Sequence, residues 1–336
     1  MTQKPVCRSF LPGPLVGVLL LCLAAPDAGR AQEQRSNPLD SVVRVSAAIR
    51  ADARTADSLG TERQGSGVVI DDDGLVLTIG YLILEALEVN VSGPDDSPVA
   101  ADIVAYDHES GFGLLRTREP LDLEPVPLGS SADLRPRQPV LVVSRMDEFD
   151  AGGVYVVDRR AFAGYWEYLL EDAIFTAPPR ADFGGAALID DGGRLVGIGS
   201  LVVNDAGHQG RPIPGNMFVP IDQLKPILGD LLANGRRSDP SRPWLGVTLE
   251  EHRGRVFVTR VTPDGPAAGA GIEPDDMILG VSGMPVEGLA DLYRKLWQLG
   301  DAGVDVPLNL LQGMSPRTLS VPSGDRYRFL RLDPTF

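Results

Sequence analysis

Cysteine is almost absent: the 336 residues hold two, Cys7 and Cys22, both near the N-terminus. Once a leader carrying them is removed no thiol remains, which excludes disulfides, a cysteine nucleophile and thiolate metal sites. Histidine is scarce too. His108, His208 and His252 lie far apart, with no pair at helical or strand spacing, so neither a metal site nor a cofactor is read from them. Beyond Lys4 the lysines are Lys225 and Lys295, both in helical patterns, which leaves little for a serine–lysine dyad. Positive charge is short overall, with 31 Lys and Arg against 46 Asp and Glu and a formal net charge of −15. Phosphate binding needs the opposite sign, so nucleic acid is excluded as the main partner. The longest apolar run, Leu15–Ala25, is short for a membrane span.

What is present is an exported, folded chain. Lys4 and Arg8, the apolar run and Gly29-Arg30-Ala31 read as a signal peptide over 1–31, cut after Ala31; retention as an anchor is the alternative. A periplasmic or secreted protein with no stable membrane insertion after cleavage is expected, and a periplasm tolerates the lack of disulfides. Hydrophobic content of 43% and charged content of 23% fit an ordinary folded protein, long enough for two or three domains. An arm over 32–62 is polar except for Ser41–Ile49, which reads as a first strand or short helix.

From 63 to 235 the pattern is short strands broken by turns. Gly65–Ile70 and Leu75–Thr78 flank Asp71-Asp72-Asp73-Gly74, a hairpin signature. Val89–Val91, Ala100–Tyr106, Gly113–Arg116, Pro139–Val143 and Gly153–Val157 read as further strands. Phe175–Gly199 holds a second hairpin, Ala186–Ile189 and Arg194–Gly199 around Asp190-Asp191-Gly192-Gly193. The whole predicts an all-β barrel or sandwich. Helical spacing first appears at Ile221–Leu232, closed by Gly235. A polar linker over 236–243 leads to an α+β unit over 244–325, with leucines 289, 292, 296 and 299 on one helix face, and a tail over 326–336.

These motifs, in this order, resemble the high-temperature-requirement (Deg) family of trypsin-like serine proteases with one PDZ domain. The resemblance covers 65–311 and implies a trypsin-like double β-barrel followed by a small α+β PDZ domain. The family's histidine segment, Gly-x-x-Leu-Thr-Asn-x-His-Val, is matched by Gly74–Leu82 with Tyr81 at the histidine. Its Thr-Asp-Leu-Ala-Leu-Leu is matched by Ser110–Leu115, with Gly111 at the aspartate. Its Gly-Asn-Ser-Gly-Gly-Pro is matched by Ala181–Ala186, with Phe183 at the serine. The PDZ features stand closer to pattern: Trp244-Leu245-Gly246-Val247 resembles the carboxylate-binding loop. Binding of peptide or protein C-termini through Leu245, Gly246 and Val247 is therefore implied, and so is a homo-oligomer.

The residues themselves speak against acyl transfer. A serine nucleophile needs a base within hydrogen-bond reach and a group orienting that base. His108 reads as a surface residue of an acidic turn, His208 as a loop residue, and His252 lies in a PDZ hairpin. Ser66 and Ser200 have no histidine or lysine near in sequence. The leading expectation is a non-catalytic protease-like scaffold, with Tyr81 and Phe183 filling the old cleft or, alternatively, offering an apolar recognition surface. An endopeptidase with displaced catalytic residues, and a regulatory or assembly subunit of another envelope protease, are the alternatives. The tail, ending Leu332–Phe336, competes with outside peptides for the PDZ groove in this reading.

Overall fold

The computed structural model describes residues 1–2, 38–207 and 212–332. The leader after Thr2, His208 and the last four residues of the tail lie outside the described residues. Strands β1 (Val42–Ile49), β2 (Glu62–Val69), β3 (Leu75–Ile79), β4 (Ala86–Ser92), β5 (Pro98–Tyr106) and β6 (Phe112–Thr117) close into a barrel in the order β1-β2-β3-β6-β5-β4. β1 lies within the stretch read as an arm, yet it pairs with β2 on one edge and β4 on the other. Alternation explains its place. Val43, Val45, Ala47 and Ile49 are buried while Arg44, Ser46 and Ala48 are partly exposed, so one face of the strand enters the barrel core. The short helix α1 (Ala56–Leu59) joins β1 to β2.

The second sheet contains β7 (Pro139–Arg145), β8 (Phe149–Gly164), β9 (Tyr168–Ala177), β10 (Ala187–Ile189), β11 (Leu195–Val203) and β12 (Gly215–Pro220). Its order is β10-β11-β12-β9-β8-β7, and β10 also pairs with β7. Both acidic turns foreseen from sequence are built by an aspartate. Asp71 accepts the N–H groups of Asp73 and Leu75 at 3.0 and 2.7 Å, and Asp190 those of Gly192 and Arg194 at 2.9 Å. The helix expected over Ile221–Leu232 is shorter: a 3-10 turn covers Ile221–Gln223, and α2 spans Leu228–Asn234. Pro226 lacks an N–H and disfavours helix at Lys225, which delays the start. Gly235, at φ +70°, ends it as expected.

The third sheet is a mixed α+β, PDZ-like unit. Strands β13 (Val247–His252), β14 (Arg255–Val261), β15 (Met277–Val281), β17 (Asp305–Gln312) and β18 (Ser315–Pro322) lie in that order, with β16 (Met284–Pro285) beside β15. The turn α3 (Pro266–Gly269) follows β14, and α4 (Leu289–Trp297) covers the core. Leu289, Leu292, Tyr293 and Leu296 of α4 are all buried, the three- and four-residue spacing of a single helix face. Each such side chain contributes about 1.5–3 kcal/mol by leaving water. Ala161, Ala163 and Leu169, from the ends of β8 and β9, pack into the same core. A final turn, α5 (Arg326–Phe329), places Phe329 against Trp244 with ring centres 4.6 Å apart. Among the described residues no helix is long and apolar enough to cross a membrane.

Candidate functional site

Three turns set the positions where the resemblance places a catalytic triad. After β3 a 3-10 turn, Gly80–Leu82, carries Tyr81, whose hydroxyl donates to the Ser200 carbonyl at 3.1 Å. Burial raises the pKa of this phenol. Buried Arg63 donates to the carbonyls of Tyr81 and Leu84 at 2.8 and 2.9 Å and so fixes the turn, and desolvation lowers its own pKa to about 10. Gly111 sits at φ +87°, and its carbonyl accepts the Gly80 N–H at 2.7 Å. An aspartate placed there would meet left-handed backbone strain before it could orient anything. Phe183 stands on the bend before β10. That bend is locked by Ser66 N–H to the Gly184 carbonyl at 2.8 Å and Gly185 N–H to the Gly199 carbonyl at 2.9 Å.

Tyr81 and Phe183 come together on one cleft of about 430 Å³, walled also by Tyr165, Trp166, Trp244 and Phe329; Gly111 is not on its wall. The rings do not fill the cleft, against the leading expectation from sequence. Its bond to Ser200 holds Tyr81 against the wall, close enough that a Cβ at Gly184 would lie 2.8 Å from the phenol oxygen. Among the described residues Arg54, Arg260 and Arg326 line the cleft and no carboxylate does, in a chain of net charge −15. Such a surface suits apolar or aromatic groups near a negative charge.

Ser200 lines the cleft as well, whereas Ser66, Lys225 and the described histidines lie elsewhere. Ser66 is fully buried and its Oγ accepts the Arg145 N–H at 2.9 Å. Lys225 Nζ is held at 2.6 Å by both the Gly129 carbonyl and Asp222. His252 is exposed on its hairpin. His108 departs from expectation: instead of a surface residue it is a buried one, 9% exposed, edge-on to Tyr327 at 5.8 Å. Its turn is buried because the linker folds back over it. Arg237 binds Asp107 at 2.8 and 2.9 Å and Arg242 binds Glu109 at 2.9 Å. Burial, reinforced by Arg326, pulls His108 down to about 3, so it is neutral in the folded state. Between the ordinary histidine value and that folded value the unfolded chain binds the extra proton, so this residue's contribution is present at neutral pH and lost as pH falls through the window. Denaturant titrations from pH 7 to 4 should therefore show a shallower loss of stability in His108→Gln than in the wild type, by up to about 1.4 kcal/mol per pH unit. Parallel slopes would show that His108 does not titrate this way.

Leu245, Gly246 and Val247 form a loop whose three N–H groups converge, helped by Gly246 at φ +80°. They converge on a carboxylate of the protein itself. Glu167, at the tip of the β8–β9 hairpin, accepts from Leu245 at 2.8 Å, Gly246 at 2.7 Å and Val247 at 3.0 Å. Burial pushes its carboxyl up in pKa, against the opposing pull of those N–H groups and of Arg326. The tail is not the occupant among the described residues: α5 lies against Trp244, and the Arg331 N–H donates to Glu85 at 2.7 Å. Sequence reasoning passed over Glu167. The available signal was one acid inside an aromatic run, Tyr165-Trp166-Glu167-Tyr168.

Residues 65–198 match a trypsin-like peptidase domain and residues 243–322 a PDZ domain. "Protease Do-like 1, chloroplastic" of Arabidopsis thaliana is 28% identical over 299 residues, covering 82% of this chain and 66% of its own. "Probable periplasmic serine endoprotease DegP-like" of Pseudomonas fluorescens is 30% identical over 289 residues, covering 81% and 57%. The chain thus spans 57% to 66% of the length of these two curated relatives. Among solved structures, "HtrA-type protease AlgW with decapeptide" aligns with a TM-score of 0.52 at 20% identity, over 89% of this chain and 98% of that one, a likeness of fold.

Proposed function

From this family-level match to the HtrA/DegP trypsin-like proteases with a PDZ domain, we propose that the chain is a secreted, non-catalytic protease-like scaffold that engages peptide or protein C-termini through its PDZ domain. The observation that carries the reading is the cleft itself: it is faced by Tyr81 and Phe183, the residues that stand where the resemblance puts base and nucleophile. Phe183 has no nucleophilic atom, and the Tyr81 phenol, its pKa raised by burial and its hydroxyl engaged with the Ser200 carbonyl, is a poor base near neutral pH. The PDZ half of the reading rests on the convergent N–H groups of Leu245, Gly246 and Val247, the donor set that holds a terminal carboxylate while the peptide adds as an edge strand. Export rests on the leader and on relatives described as periplasmic.

A second reading, an endopeptidase with displaced catalytic residues, is favoured by the relatives' descriptions as endoproteases. Its strongest nucleophile would be Ser200, which lines the cleft. The two readings part on one measurement. Incubation with a generic unfolded substrate should give no cleavage above a heat-inactivated control, and a serine-directed fluorophosphonate should not label the protein. Labelling abolished by Ser200→Ala would overturn the non-catalytic reading. Phe183→Ser alone should stay inactive, because a hydroxyl without a base is a poor nucleophile near neutral pH.

A further inference from the structure

Glu167 does more than meet the PDZ loop. Two residues before it, the Tyr165 carbonyl accepts the Leu249 N–H of β13 at 2.9 Å. A peptide added to a sheet edge bonds through alternate residues, so the carbonyl two places before the terminal carboxylate is the one that meets the next inward-facing amide. Tyr165-Trp166-Glu167 reproduces that register, with a side-chain carboxylate in place of a chain end. The opposite wall completes the fit: the Tyr293 hydroxyl of α4 donates to the Gly164 carbonyl at 2.7 Å and accepts the Glu167 N–H at 3.1 Å. Glu167 is 2% exposed and sits at φ +57°. A turn tip in that region favours glycine, and a non-glycine residue held there gives reason to ask what its side chain does.

We propose that Tyr165-Trp166-Glu167 is a built-in ligand of the PDZ groove, which stays closed until a peptide with a free C-terminal carboxylate displaces the hairpin tip. The proposal rests on the reading of the groove as a peptide site, since it names what regulates that site. The closed state lowers the apparent affinity of any outside peptide by the fraction of molecules that are open. The same movement reaches the barrel, because Tyr165 and Trp166 wall the cleft that Tyr81 and Phe183 face. Displacement of the tip would therefore enlarge the cleft.

The test uses the full chain as wild type, Glu167→Ala and Tyr293→Phe. Without ligand, hydrogen exchange of the Leu245, Gly246, Val247 and Leu249 amides should be slow in the wild type and fast in Glu167→Ala. A fluorescent library of peptides ending in an apolar residue should bind Glu167→Ala at least about tenfold more tightly than the wild type, with C-terminally amidated versions gaining nothing. Tyr293→Phe keeps the ring and its stacking on Trp297, at 5.3 Å, and should shift both readouts the same way by less. It carries the test alone if Glu167→Ala does not fold. Fast exchange in the wild type, or equal affinity for wild type and variant where peptide does bind, overturns the proposal. Slow amides that open in the variant while neither protein binds any peptide leave the clasp standing and remove the peptide-binding reading instead.

Discussion

Arg237→Ala should cost about 3–5 kcal/mol, the loss typical of stranding one partner of a buried ion pair. Asp107 is wholly inside, its side chain 0% exposed, and the guanidinium meets it through Nε and Nη2 at 2.8 and 2.9 Å. Burial by itself disfavours the charged form. Arg237 outweighs that cost and, with Ser110, holds the Asp107 carboxyl below its usual range. Without the arginine the carboxylate stays buried with its charge uncompensated. Urea unfolding of wild type and variant at pH 7 measures the loss. Adding Asp107→Asn to Arg237→Ala should recover part of it, since the amide carries no charge. The sign with pH follows from the depressed value: the stabilisation is full above the ordinary carboxylate pKa and is lost as pH falls through the folded one, so the gap between wild type and Arg237→Ala should narrow in acid. An unchanged midpoint, or no recovery in the double variant, would mean that this pair does not hold the linker to the barrel.

Gly185→Ala should be worse, and Gly193→Ala mild, although the two glycines share a backbone conformation. Their φ angles are +75° and +73°. Left-handed backbone costs a side-chain-bearing residue about 1–2 kcal/mol wherever it occurs. At Gly193 that is the whole penalty, because a Cβ there meets nothing within 4 Å. At Gly185 the Cβ would fall 1.9 Å from the Ser66 carbonyl oxygen and 2.8 Å from Thr78 Oγ1. Neither neighbour can give easily, since the Thr78 hydroxyl donates to that same carbonyl at 2.6 Å inside the barrel. The bend carrying Phe183 would have to part from β2, so a loss above about 4 kcal/mol is expected, read as little or no soluble folded protein against a near-normal yield of Gly193→Ala. Similar yields and melting midpoints for both would refute the steric argument.

The sequence by itself determined the features whose cause is local. Whereas Ser41–Ile49 reads as a strand or a short helix until its pairing with β2 and β4 decides it, the carboxylates of Asp71 and Asp190 turned back on their own loops and Gly235 ending α2 act within a few residues, so spacing and residue type reveal them. The same holds for the identity of Tyr81, Gly111 and Phe183 within their motifs, and for Leu245-Gly246-Val247 as a loop able to gather amides. Tertiary structure decided what each of those groups faces. Tyr81 stands against the cleft wall because a carbonyl 119 residues away accepts its hydroxyl's hydrogen bond. His108 is buried because Asp107, beside it, draws in an arginine 130 residues on. The loop amides meet Glu167, 78 residues before the first of them, and among the described residues the tail does not reach them. No periodicity encodes such pairings. Their energy depends on groups brought together only when the β8–β9 hairpin, the linker and the PDZ-like sheet pack, and desolvation then fixes both the partner and the charge.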